Sequence, residues 1–363
     1  MPSKLRAAYP WAASPLIINA PMGGFAGGAL ATAVSDAGGI GLIGAVDETE
    51  KIEVYLAEAS TYFSSSGASP SSSSVSCKNE SAAQFFAETH LLPLGVGFIT
   101  FFVDMEAALK VLQAHPPAIV WLFAAKEFAD YGVWAEALRK VVPATKIWIQ
   151  VGSASAALEI ARLARPDVLV LQGADAGGHG FRRGAGIVSL LPETRDLLAS
   201  HGLADNVSLV AAGGVVDGRG VAAALTLGAE GVVMGTRFLV APETKIHDAY
   251  RDAVLKARDG AASTVRADVF DKLRGPNIWP AVYDGRALTT DSYADWQDGV
   301  DIDEIRKRCK EAAGGEDKGY TRRAAVWAGT GVGLVNEVRP AAEIVEDVRE
   351  SAKRVLREAV DSI

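Results

Sequence analysis

Cysteine is nearly absent from this chain: Cys77 and Cys309 are the two in 363 residues. They lie far apart, with no CxxC and no His-rich neighbour, so neither a disulfide framework nor a thiolate zinc site is expected. A reduced, cytoplasmic protein without a metal is the expectation. An excess of basic charge is also missing. The 36 Lys and Arg against 44 Asp and Glu give a formal charge of -8, which argues against nucleic acid or an anionic membrane surface as a partner. Long apolar runs are missing as well. No charged residue occurs between Ala7 and Ser35, and Lys4 and Arg6 stand just before that stretch, in the manner of a leader or a membrane span. Pro10, Pro15 and Pro21, with Gly23, Gly24, Gly27 and Gly28, break any helix of spanning length. The stretch therefore reads as soluble core, and the Asn79 and Asn206 sequons as chance matches.

A dinucleotide fingerprint is absent too. "APMGGFAGGALATAVSDAG" opens a helix after the first apolar run, yet no three glycines stand at i, i+2 and i+5. The next run ends in Gly44-Ala45-Val46 before Asp47, without an acidic ribose ligand at its tip. A Rossmann site is excluded on both grounds. The small residues over 20–28 instead suit a flat ring lying against the backbone.

What the chain does have is 49% hydrophobic residues against 22% charged, the balance of a globular protein with a large core. Its apolar residues fall into eight short runs: 15–22, 40–44, 92–99, 118–123, 146–152, 168–173, 208–214 and 231–238. Most are continuous rather than alternating, as parallel strands covered on both faces require. Segments with helical spacing separate them, such as "SASAALEIARLA". Eight β-then-α units predict an α/β fold, a (β/α)8 TIM barrel, with functional groups on the loops after the strands. The barrel is expected over 1–239, with a Ser-rich surface insertion at 60–76. Residues 240–325 are too long for a loop and carry helical and aromatic stretches, which predicts a mainly helical lid or substrate subdomain. Residues 326–363 return to the barrel and end in a helix striped by Ile344, Val348, Ala352, Val355 and Leu356.

Two glycine-rich strand ends follow each other late in the barrel, "AAGGVVDGRG" after the seventh run and "MGTRF" within the eighth. A phosphate needs bare backbone N–H groups, and the loops after strands 7 and 8 are this fold's recurrent phosphate site. Gly213, Gly214, Gly235 and Thr236 are the candidates, helped by the N-terminus of the helix that follows Gly214. The sixth run ends in "LQGADAGGHG". There Gly177, Gly178 and Gly180 bring the backbone close and give the His179 imidazole room at the barrel mouth. Gln150 and Gln172 end the fifth and sixth runs and point amides at the same place. Few charged groups line these strand ends, so FMN fits better than a sugar phosphate, with His179 as a proton-handling group beside it. His90, His115, His201 and His247 have no such setting, and Arg182 and Arg183 read as solvated surface.

In chain order, "NAPMGGFAGG", "LPLGVGFI", "QVGS", "QGADAGGHG", "AAGGVVDGRGVAAALTLGAEGVVMGTRF" and "WAGTGVGLV" resemble the nitronate monooxygenases, formerly 2-nitropropane dioxygenases. The resemblance spans nearly the whole chain. It implies non-covalent FMN and the oxidation of alkyl nitronates, such as propionate 3-nitronate, by O2 to a carbonyl compound and nitrite, and the sequence leaves open whether neutral nitroalkanes are used as well. It places His179 where the family has its catalytic base, and Ala20, Pro21, Met22, Gln172, Gly177, Gly214, Gly235 and Thr236 around FMN. The alternative on the same scaffold is an NAD(P)H-dependent FMN reductase of the enoyl-acyl-carrier-protein or NADH:quinone type. A lyase or isomerase with a phosphorylated substrate and a flavin-binding module without turnover are the other readings. The sequence leaves a homo-oligomer open.

Overall fold

The computed structural model describes residues 4–45, 49–65 and 77–362. Each of the eight apolar runs forms a strand: β1 Leu16–Asn19, β2 Leu42–Ala45, β3 Leu92–Ile99, β4 Pro117–Phe123, β5 Lys146–Val151 and β6 Val168–Gln172, then, after a short β7 at Gly178–Phe181, β8 Ser208–Ala212 and β9 Gly231–Met234. The eight pair in parallel in the order β1-β9-β8-β6-β5-β4-β3-β2. Helices run between them and cover the outer face, so both faces of β3 and β4 are buried and their apolar runs are continuous. This is a TIM barrel.

Its seam lies between β1 and β2, where backbone pairing is reduced to a single bridge, Ile18 to Ile40. Asn19 completes the closure. Its side-chain Nδ2 donates to the Leu42 carbonyl at 2.8 Å and its Oδ1 accepts from the Leu42 N–H at 2.9 Å. The residue is fully buried, so a side-chain amide stands in for the missing ladder and leaves no orphaned backbone group there.

Three local expectations are corrected. The start of the supposed polar insertion at 60–76 belongs to the helix Thr49–Ser64, whose Ile52, Leu56, Ala59 and Phe63 are buried. Apolar residues at helical spacing outweigh the local serine content. Residues 66–76 lie outside the described residues. In the eighth run the strand stops at Met234, because Gly235 takes helical dihedrals (φ -98°, ψ -69°) and Thr236–Leu239 forms a helical turn. The glycine loop around His179 is also more regular than expected, since residues 178–181 are strand β7. It pairs antiparallel with β11 (Tyr283–Leu288), which pairs with β10 (Thr264–Ala267). A ladder needs only backbone groups, so a distant partner can order a glycine-rich segment that has no strand propensity of its own.

Residues 240–325 thus contribute β10 and β11 beside the helices Asp248–Lys256, Asp291–Gln297 and Ile302–Ala313. They carry a small core of Val269, Phe270, Leu273, Ala287, Ile305 and Cys309. Tyr283 packs into the barrel's own core instead. The last helix, Ala341–Asp361, buries Ile344, Val348 and Ala352, while Val355 and Leu356 are half-buried. It lies so close to the helix Gly218–Thr226 that a Cβ on Gly218 would sit 2.4 Å from the Ala352 nitrogen. Among the described residues no helix is long and apolar enough to cross a membrane.

Candidate active site

A cavity of about 1310 Å³ opens where the barrel strands end, between the barrel and the 240–325 segment. Every candidate residue from the sequence lines it. Ala20, Pro21 and Met22 follow β1. Gln150 and Gln172 end β5 and β6, Gly177 and His179 lie at and within β7, and Gly213, Gly214, Gly235 and Thr236 follow β8 and β9. The walls between them are apolar and aromatic, including Phe98, Ile99, Trp121 and Phe123.

At the β8 and β9 ends the backbone is arranged for an anion. Among the described residues no protein acceptor takes the N–H of Gly214, Val215 or Gly235, and all three residues line the cavity. Their glycines have different causes. Gly214 has φ +75°, and a Cβ there would lie 2.9 Å from the Asp175 Cβ, so the fold itself demands glycine. A Cβ on Gly235 would meet nothing closer than Ala20 at 3.6 Å and Met22 at 3.9 Å. Protein packing gives no reason for that glycine, whereas a ligand against the backbone does. Thr236 is buried, and its Oγ1 accepts from the Gly329 N–H at 3.0 Å.

The expected contribution of the following helix N-terminus does not hold. Asp217 caps Gly218–Thr226 and accepts from the N–H groups of Arg219 at 2.9 Å and Gly220 at 3.3 Å. Burial alone would raise its carboxyl, but hydrogen bonds from Arg219 and Gly220 outweigh that and hold it below the ordinary carboxylate range. The cap uses the donors an outside anion would need.

Gly177 and Gly180, on either side of His179, are both required by protein packing. A Cβ on Gly177 would lie 2.3 Å from the Ala328 carbonyl carbon, and one on Gly180 would lie 2.2 Å from the Gln172 Oε1. Gln172 in turn donates from Nε2 to the His179 carbonyl at 3.1 Å. It braces β7 against β6, which takes one of its two N–H donors. Gln150 is buried and has no side-chain partner among the described residues, so its amide is free toward the cavity.

His179 is held on three sides. Its Nε2 lies 2.6 Å from Asp271 Oδ1. Its ring stacks on Trp279 at 3.6 Å between centroids and 7° between planes, and Trp327 lies at 4.7 Å, tilted by 50°. Gly285, opposite His179 in the β7–β11 register, makes room for Trp327, since a Cβ there would come within 2.3 Å of that ring. Asp271, Trp279 and Trp327 are 92 or more positions away in the chain. "NIWPAVYDG" signals an aromatic segment in need of a surface, but nothing in the sequence marks Asp271. Arg182 lies 3.9 Å from Asp284 and Arg183 is exposed. At the outer rim Arg274, Lys310 and Lys318 line the cavity, exposed and without an ion-pair partner among the described residues.

A barrel with an apolar pocket at its strand ends, bare backbone donors on one side and an oriented imidazole on the other, is an enzyme architecture. Comparison with known proteins narrows the class. Residues 133–351 match the family model described as nitronate monooxygenase. The chain is similar to nitronate monooxygenase npaC of Metarhizium robertsii, 43% identical over 361 residues, covering 98% of this chain and 96% of that protein. It is also similar to the nitronate monooxygenase of Neurospora crassa, 38% identical over 370 residues with 98% and 93% covered. This chain belongs to the nitronate monooxygenase family. Among solved structures, FabK from Thermotoga maritima shares the fold with a TM-score of 0.72 at 22% identity, both chains covered in full. Nitroalkane oxidase from Streptomyces ansochromogenes does so with a TM-score of 0.66 at 22% identity, with 99% and 100% covered.

Proposed function

We propose that this enzyme oxidises alkyl nitronates, such as propionate 3-nitronate, with O2 to a carbonyl compound and nitrite, using FMN held in the cavity. The observation that carries the reading is one cavity joining unpaired backbone donors at Gly214, Val215 and Gly235 to an imidazole with an unpartnered ring nitrogen. The phosphate would lie on that backbone beside Thr236, and the flat ring against Ala20, Pro21 and Met22 within reach of Gln150. A Cβ on Gly235 would enter the phosphate cradle without a clash with the protein, which supports the fit. Bound there, FMN supplies the electron chemistry that no side chain in the cavity can provide.

The chain's own residues bind, orient and exclude water. The tryptophans and phenylalanines dry the cavity, which strengthens every charge interaction inside it. The segment 240–325 is the cover, carrying Trp279 onto the His179 ring, and Trp327 reaches the same ring from the return segment that follows. His179 takes the α-proton when a neutral nitroalkane is bound, whereas a nitronate arrives without it. Arg274, Lys310 and Lys318 draw an anion to the mouth, and propionate 3-nitronate brings a carboxylate as well as the nitronate charge.

Anaerobic mixing tests the reading. The purified protein should be yellow, and propionate 3-nitronate should bleach it within the turnover time while NADH does not. Rapid bleaching by NADH alone would assign a reductase, and a colourless protein that binds no added FMN would remove the flavin.

A further inference from the structure

We infer that Asp271 is a positioning residue that makes Nδ1 of His179 the nitrogen receiving the substrate proton. The inference rests on the proposed nitronate chemistry and extends it to neutral nitroalkanes. Asp271 stands on the short helical turn Val269–Lys272, directly after Val269, which is fully buried, and Phe270, also buried. Those neighbours fix the backbone from which its carboxylate reaches His179. The carboxylate side chain is 4% exposed, and its Oδ2 is buried with no hydrogen-bond partner. A buried carboxylate with one oxygen on an imidazole and the other on nothing is costly to keep unless that contact has a use.

Its use follows from donor and acceptor chemistry. An ionised carboxylate only accepts, so the single proton of a neutral imidazole is held on Nε2, against Oδ1. Nδ1 then carries the lone pair, and among the described residues it has no protein partner. The parallel stack on Trp279 and the tilted contact with Trp327 oppose a ring flip that would exchange the two nitrogens. When a neutral nitroalkane is bound, its α-C–H bond breaks and an N–H bond forms at Nδ1. The electron pair left on carbon moves into the nitro group, giving the nitronate. The imidazolium formed faces the Asp271 charge, which stabilises it as it appears. No oxidant takes part in this step, so it can be measured apart from the oxidation.

The experiment uses the flavin-loaded enzyme and two probes. Anaerobic exchange of the α-protons of nitroethane into D2O, followed by NMR, reads proton removal alone. Oxygen consumption with pre-formed ethyl nitronate reads everything after it. Asp271→Asn, which keeps shape and loses charge, should slow the exchange about 10²-fold while nitronate turnover changes by less than about threefold. Asp271→Glu, which restores the charge, should recover exchange about tenfold over Asp271→Asn. Equal slowing with both probes would make Asp271 merely structural and overturn the inference. So would unchanged exchange in Asp271→Asn, or no exchange by the wild type. A wild type that exchanges nitroethane in an Asp271-dependent way yet consumes no oxygen with the nitronate would support the dyad and reject the proposed oxidation.

Discussion

At the scale of single residues, Gly214 and Gly235 separate two causes that look alike in a sequence. Gly214 is required by a left-handed backbone and by Asp175, so any substitution there perturbs the fold and reports nothing about a ligand. Gly235→Val is the clean probe. We expect the melting temperature to stay within about 2 °C of wild type, since the added Cβ meets protein atoms only at ordinary contact distance and the branches point at the cradle. FMN affinity should fall at least about tenfold, which is about 1.4 kcal/mol, measured by fluorescence titration of the apoprotein. Full FMN affinity in this variant would move the phosphate elsewhere. The two cysteines give a second residue-scale prediction. Burial, reinforced by the Asp36 carboxylate, pushes the Cys77 thiol up to about 12, and burial also raises Cys309. Only about 10⁻⁴ of Cys77 is thiolate at pH 8, so iodoacetamide should label it about 10³-fold more slowly in the native state than in urea. Native labelling as fast as in urea would show that Cys77 is neither buried nor held against Asp36.

At the scale of elements, the order of strands was legible because a parallel strand buried on both faces must be continuously apolar, and the eight runs are. The places where reading failed have two physical reasons, one long-range and one local. β7 is "GHGF", with nothing in its composition to favour a strand, and it is ordered by backbone pairing to β11, more than 100 residues later. The helix Gly218–Thr226 was read as an open anion site, but Asp217 is its N-cap and turns back onto its first N–H groups, as an acidic residue at that position favours. The pairing of β11 with β7, and the burial of Tyr283 in the barrel core, make the cover dependent on the barrel. Residues 240–325 expressed alone should therefore melt without a cooperative calorimetric transition. A sharp transition from that fragment would show that its core of Val269, Phe270, Ala287 and Ile305 suffices.

At the scale of the whole molecule, a chain of formal charge -8 sets Arg274, Lys310 and Lys318, cations without an ion-pair partner among the described residues, around the mouth of its cavity. The surrounding field repels anions, so these cations decide whether a charged substrate enters. We expect kcat/KM for propionate 3-nitronate to fall with added NaCl more steeply than that for a singly charged alkyl nitronate, because the screening length drops from about 30 Å at 0.01 M to about 8 Å at 0.15 M. The double change Lys310→Gln with Lys318→Gln should abolish the difference. Equal salt slopes in the wild type would mean that the rim does not act on the carboxylate.

The sequence by itself determined the barrel, the loops that carry the site and the candidates along its strand ends, since hydrophobic period and glycine spacing are local and survive in one dimension. It singled out His179 through its position at the end of a strand run. Only the tertiary structure decided what touches that histidine. Asp271 and Trp279 arrive from a segment whose own residues show no catalytic pattern, brought there by β11 pairing with β7, and Trp327 arrives from the return segment, bridged to Ala287 of β11. It also decided which glycine the protein's own packing requires and which it does not, because that depends on the atoms facing an absent Cβ, and those come from other parts of the chain.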